Sequence, residues 1–146
     1  MDEIVPLTGD YIGLIVSMAA RAMGVGITRA FAQAGRAITC EQWIILRTLW
    51  DKDGRCQQEL ALHTGKDKAS ITRLTDALEK RGLVRRKGSE SDRRQKLIFL
   101  TDEGVRIKDE LVPLVAAVLL KAQAGIDRQR LEQCRDVLYQ FYSNLC

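Results

Sequence analysis

One histidine in 146 residues, His63, leaves this chain without the usual means of acid-base or metal chemistry. No nucleophile, histidine and acid set can be assembled around it, so catalysis is not expected. The four cysteines, Cys40, Cys56, Cys134 and Cys146, are widely and irregularly spaced and contain no C-x-x-C pair. A zinc site of the Cys/His type therefore lacks its ligands, and no metal or cofactor is expected. The segment "GVGITR" is no dinucleotide fingerprint, because the third glycine is missing and no strand precedes it. No window holds the roughly 18 or more uninterrupted apolar residues of a membrane span, and "MDEIVPLTGD" is acidic where a signal peptide carries positive charge. The expected compartment is the cytoplasm, with reduced thiols and no membrane partner.

With 46% hydrophobic and 29% charged residues, the chain reads as a folded protein with a true core, either one domain or one core domain plus elements shared with a partner subunit. Its charge is unevenly placed. Between Lys66 and Lys96 there are eleven Lys or Arg against five Asp or Glu, a local balance of +6 within a net charge of +4, so the remainder sums to −2. Such a cluster is either a solvated surface or the footprint of a polyanion site, and periodicity has to decide.

Apolar residues recur at Ile12, Ile15, Val16, Ala19, Met23, Ile27 and Phe31, a helical stripe running from Asp10 to about Ala34 that Gly24 and Gly26 weaken. Thr39 and Gln42 have capping-box spacing ahead of a second helix bearing Trp43, Leu46, Leu49 and Trp50, which "DKDG" stops. A short third helix fits Gln57 to His63. Gly65 then opens a tight turn, and Asp67 caps a fourth helix through Arg81 with Gly82 at its C-terminal end. Two short helices around such a turn make a helix-turn-helix.

In the fourth helix Ile71, Leu74 and Leu78 share a narrow arc that must be buried. Lys66, Ala69, Arg73, Asp76 and Lys80 lie opposite, with Ser70 and Thr72 on the flanks. Alone this is an ordinary solvated face or one that fits the major groove of B-DNA. It does not stand alone: "LVRRK" and "KLIFLT" are β-prone runs joined by the polar "GSESDRRQ". Helix-turn-helix followed by a hairpin is a winged helix. Its wing carries Arg85, Arg86, Lys87, Arg93, Arg94 and Lys96, placed to follow a phosphate backbone, with one Arg free to enter the minor groove.

Beyond Thr101, itself a helix N-cap, a long helix is expected to run toward Gly125 with a kink at Pro113. A last helix starts at Asp127. Its Leu131, Cys134, Leu138, Phe141 and Leu145 form a coiled-coil-like seam that packs on the chain's own core or, with the first helix, on a second subunit. The dimer is favoured, since a winged helix needs far fewer residues than this chain has. The expected architecture is mainly α with a small β-hairpin wing: a winged helix-turn-helix over residues 37–101, and N- and C-terminal dimerisation helices over 1–36 and 102–146, in one intertwined domain.

At these residues the sequence resembles the MarR family, the bacterial multiple-antibiotic-resistance-type regulators, over nearly its whole length. "DRRQKLIFLT" is similar to the family's wing pattern through Asp92, Arg94, Ile98, Leu100 and Thr101, and "KDKASITRLTDALEKRGLVRR" is similar to its recognition helix and following strand. The resemblance implies an obligate homodimer that binds double-stranded DNA at a palindromic operator, an inverted repeat, as a transcriptional regulator and steric repressor. It implies that Arg94 enters the minor groove while Asp92 holds its guanidinium by a bidentate pair, unless Asp92 is a simple turn residue. Ser70, Thr72 and Arg73 would face the major groove. Lys66, Lys68, Lys80, Arg86 and Arg93 complete the expected DNA-binding set.

Regulators of this kind often respond to a small aromatic or phenolic effector, for which Met18, Arg21, Trp43, Arg47 and Trp50 are the candidate lining, although Trp at helical spacing also serves as core. A redox-sensing branch uses a cysteine near the start of the first long helix. Here Ser17 stands in that region, and the first cysteine is Cys40. Cys40 lies in a helix's first turn, where the dipole can lower a thiol pKa, so it is either a redox sensor or a buried bystander. The rival from another class is a winged helix used as a protein-interaction module, which predicts a wing without basic residues.

Overall fold

The computed structural model describes residues 11–92 and 94–146, so the readings placed on Asp10, on the N-terminal decapeptide and on Arg93 lie outside the described residues. The chain forms α1 (Ile12–Gln33), α2 (Cys40–Asp51), β1 (Arg55–Cys56), α3 (Gln57–Thr64), α4 (Lys68–Lys80), β2 (Val84–Gly88), β3 (Lys96–Leu100), α5 (Asp102–Arg106), α6 (Lys108–Ala122) and α7 (Arg128–Leu145). The expected mainly helical winged helix-turn-helix is present. The hairpin gains a third strand, giving an antiparallel sheet in the order β1-β3-β2 with Arg55 opposite Ile98 and Arg86 opposite Ile98 on its other side.

Local chemistry sets the boundaries. Thr39 Oγ1 accepts from the Gln42 N–H while Gln42 Oε1 accepts from the Thr39 N–H, a reciprocal capping box for α2. Asp67 Oδ1 accepts from the Ser70 N–H at 2.7 Å and starts α4. Gly65 and Gly82 end α3 and α4 at φ of 66° and 70°, backbone that a side chain would strain. Ile71, Leu74 and Leu78 of α4 meet Phe31, Ile45, Leu46, Leu49, Leu60, Ile98, Leu111 and Val115 in one buried cluster. That cluster draws on α1, α2, α3, β3 and α6 together. Each fully buried Leu or Ile contributes about 1.5–3 kcal/mol.

The helix after Thr101 is interrupted at Ile107, not at Pro113, which sits inside α6. The Gly104 carbonyl oxygen, the normal acceptor for the Lys108 N–H, instead receives the indole N–H of Trp50 at 2.8 Å. The ladder therefore breaks where α2 takes that acceptor.

By length and composition α1 is the one described helix able to cross a membrane. Arg21 and Arg29 lie within it, and Ile27 and Phe31 are buried where it packs against α2 and α6. Its first half is uncovered: Ile12, Leu14, Ile15 and Met18 are exposed. Helix α7 has no buried residue, and Leu138, Tyr139, Phe141 and Leu145 stand open on it.

Candidate nucleic-acid interface

The outer face of α4 forms a shallow hollow of about 680 Å³ lined by Lys68, Thr72, Arg73, Asp76 and Lys80, with the small Ala69 and Ala77 as its floor. Burial of Ile71, Leu74 and Leu78 turns this face outward. A second hollow, about 300 Å³, lies between the start of α3 and the wing, lined by Gln57, Gln58, Lys68, Arg94, Gln95 and Lys96. Lys68 belongs to both, so the recognition-helix face and the wing form one continuous basic surface. Lys96 was expected on the wing, whereas Gln57 and Gln58 were not among the residues expected there. Lys96 sits in the wing charge cluster, but only the β1 pairing, too short to be legible, brings the α3 glutamines beside it.

Several expected contacts are otherwise engaged. Thr72 Oγ1 donates to the Lys68 carbonyl oxygen, and Ser70 Oγ donates to Asp67 Oδ2, so both hydroxyls serve the helix. Lys66 Nζ pairs with Glu41 at 3.2 Å, away from the outer face of α4. Asp92 does not hold the Arg94 guanidinium. Its Oδ1 accepts the backbone N–H of Arg94 at 2.9 Å, and its carbonyl accepts from the Gln95 N–H, the turn-residue alternative. Arg94 itself is exposed at the wing tip.

Arg86 departs furthest from the expected phosphate contact. Its side chain is 16% exposed and turned inward, with Nη2 donating to Asp76 Oδ1 at 2.6 Å and to Thr75 Oγ1 at 2.8 Å, and Nη1 donating to Glu79 Oε1 at 2.9 Å. The cause is strand alternation: Val84 faces the core, so Arg86 shares its side while Arg85 and Lys87 point out. Arg85 lies over the Phe99 ring at 5.8 Å on the opposite face.

The candidate effector residues divide. Trp43, Arg47 and Trp50 line a cleft of about 810 Å³ between α2 and α6, joined by His63, Lys108 and Arg55. Arg55 is buried there, its Nε donating to the Lys52 carbonyl oxygen at the end of α2 and its Nη2 paired with Asp51 at 3.3 Å. Met18 and Arg21 are not part of it. Met18 is exposed on α1, and Arg21 lines a separate hollow of about 620 Å³ between α1 and α2 that also holds Cys40. Burial, and then the neighbouring Glu41 charge, pushes the Cys40 thiol above its ordinary value. The shift is opposite to the one a reactive thiol at a helix start would show. Among the described residues no cluster of three or more metal-ligating side chains occurs.

Residues 38–96, the span from the lead-in to α2 to the start of β3, match the family model described as MarR family. The organic hydroperoxide resistance transcriptional regulator of Bacillus subtilis (strain 168) is 31% identical over 109 residues, 74% of this chain and 72% of its own. The chain belongs to the MarR family. It is thus a MarR-family transcriptional regulator with a winged-helix fold. It spans about half the length of the further curated relatives it matches. A MarR-family regulator from Rhodococcus sp. RHA1 superposes with a TM-score of 0.80 at 30% identity, over 90% of this chain and 92% of that one. CouR from Rhodococcus jostii RHA1, solved bound to p-coumaroyl-CoA, superposes with a TM-score of 0.78 at 29% identity, over 90% and 91% of the two chains.

Proposed function

We propose that this MarR-family protein acts in the cytoplasm as a homodimeric repressor that binds an inverted-repeat operator in double-stranded DNA. The observation that carries the reading is the shared position of Lys68, which joins the α4 outer face to the wing hollow of Arg94 and Lys96 in one basic surface. Arg73, Lys68 and Lys80 then meet the major groove and its phosphates, and Arg94 reaches the minor groove. Residues 37–101 form the DNA-binding part. The segments 1–36 and 102–146 supply the dimer, because the open faces of α1 and α7 would leave Ile15, Phe141 and Leu145 in water in a lone chain. Two winged helices on a two-fold axis read half-sites about one helical turn apart, or a multiple of it. Occupancy of such a site blocks transcription sterically.

The α2–α6 cleft suits a small aromatic or phenolic anion: Trp43 and Trp50 offer ring faces, and Arg47 and Lys108 offer positive charge. Such a ligand releases DNA only if it binds the DNA-free spacing of the two recognition helices more tightly than the bound one. The test is selection of genomic fragments by purified wild-type protein and by Arg94→Ala at physiological salt. Recovery of an inverted repeat by the wild type and its loss in the variant supports the reading. Equal recovery by both proteins, or no repeat at all, defeats it.

A further inference from the structure

Asp76 is an unexpected residue for a surface meant to meet phosphates. It lies on the outer face of α4 between Arg73 and Lys80, lining the same hollow, and its side chain is 53% exposed. Beside it, Glu79 has both carboxylate oxygens occupied: Oε1 takes Arg86 Nη1 and Oε2 takes the Arg86 backbone N–H at 3.2 Å. Asp76 differs. Only its Oδ1 is engaged, by Arg86 Nη2 at 2.6 Å, and among the described residues no donor lies on Oδ2. Glu79 and Thr75 thus anchor Arg86, and Arg86 in turn holds one oxygen of an Asp76 carboxylate that lines the outer-face hollow and keeps its other oxygen without a donor among the described residues.

We propose that Asp76 is a specificity-determining residue that selects cytosine at one position in each half-site, a reading that rests on the DNA-binding function above. In the major groove cytosine presents the N4 amino donor, guanine presents two acceptors, thymine presents an acceptor and a methyl group, and adenine sets its donor beside an acceptor. A carboxylate oxygen is therefore attracted by cytosine, repelled by guanine and thymine, and opposed at adenine by N7. Ala69 and Ala77 leave the space on either side for a base edge to approach. The positive charge of Arg86, supplied from the inner side of the wing, offsets the repulsion that Asp76 would otherwise exert on phosphates. Selection here works by rejection as much as by attraction.

The experiment is binding-site selection from a randomised duplex library with the full chain as wild type, Asp76→Asn and Asp76→Ala. The wild type should enrich an inverted repeat with cytosine fixed at one position per half-site, preferred over thymine by about tenfold. Asp76→Asn should move that position to adenine, since an amide pairs with adenine N6 and N7, and Asp76→Ala should leave it unselected. Both variants should keep every other position, which controls for their folding. A repeat whose preferences survive both substitutions, or one with no fixed cytosine, overturns this inference and leaves the DNA-binding reading intact. A wild type that enriches no sequence overturns the DNA-binding reading and this inference together.

Discussion

Trp50 donates its indole N–H to the carbonyl oxygen of Gly104 at 2.8 Å, and at that point the chain passes from α5 to α6. Gly104 is boxed in on its other side, where a Cβ would collide with the backbone carbonyl of Leu83, the residue that leads from α4 into the wing. One residue thus touches the α2–α6 cleft through Trp50 and the root of the wing through Leu83. Trp50→Phe keeps most of the ring's burial and loses one hydrogen bond, and should cost about 1 kcal/mol in urea unfolding with an unchanged m-value. Gly104→Ala has no flexible neighbour to displace. It should cost several times more, or prevent folding outright, and a mild effect would show that the α4–β2 connection yields easily.

Arg86 and Arg94 look alike in the sequence and should separate in experiment. Arg86→Ala leaves Asp76 and Glu79 facing each other without their cation and takes one donor from Thr75 Oγ1, which keeps its own donation to the Ile71 carbonyl oxygen. Because both carboxylates are about half exposed, the loss of stability should be about 1–2 kcal/mol, not the larger penalty of a fully buried pair. Arg94→Ala removes an exposed wing-tip side chain. It should leave the melting temperature in place and weaken operator binding by about 1–3 kcal/mol. Thermal melts and DNA titrations on the same two preparations give the answer, and a reversal of the pattern would reassign both residues.

Much of this was legible beforehand because neighbouring residues carried it. The capping box at Thr39, the cap at Asp67, the apolar arc of Ile71, Leu74 and Leu78 and the wing are local patterns, and the folded chain keeps them. The inward turn of Arg86 was legible too, in the alternation after Val84, but charge composition argued the other way. What was not legible depends on distant partners. Two-residue β1 exists only because β3 pairs with it, and the break at Ile107 arises because Trp50, 54 residues before Gly104, takes a helix acceptor. The separation of Met18 and Arg21 from Trp43 likewise follows from which side of α2 each neighbouring helix packs on, which periodicity within one helix does not record.

Cys40 should behave as a suppressed thiol. Burial and Glu41 raise its pKa, so less thiolate is present at neutral pH than at an ordinary cysteine near 8.5. With the exposed Cys134 and Cys146 replaced by Ser, alkylation of Cys40 by iodoacetamide should be slow at pH 7.5 and should rise with a midpoint above that ordinary value. Mass spectrometry separates it from buried Cys56. A midpoint below the ordinary value would revive a redox role.

The helix-turn-helix should loosen in acid before the rest of the chain. Both of its helices begin at a carboxylate whose ionised form is held by a backbone donor: the Cys56 N–H on Glu59 for α3, and the Ser70 N–H on Asp67 for α4. These bonds lower the two acid pKa values, with a further contribution at Asp67 from the Ser70 hydroxyl. A group whose folded-state pKa is depressed contributes its stabilisation above the unfolded value, about 4.3 for Glu and 3.9 for Asp, and loses it as pH falls through the lower folded value. Full stabilisation therefore holds from neutral pH down to about pH 5 and fades below about pH 4. Glu59→Gln with Asp67→Asn keeps both acceptors and removes both protons from the balance. The double variant should match the wild type closely at pH 7 and show a flatter decline between pH 5 and pH 2, read by urea titration at each pH. An identical slope would mean that acid unfolding begins elsewhere.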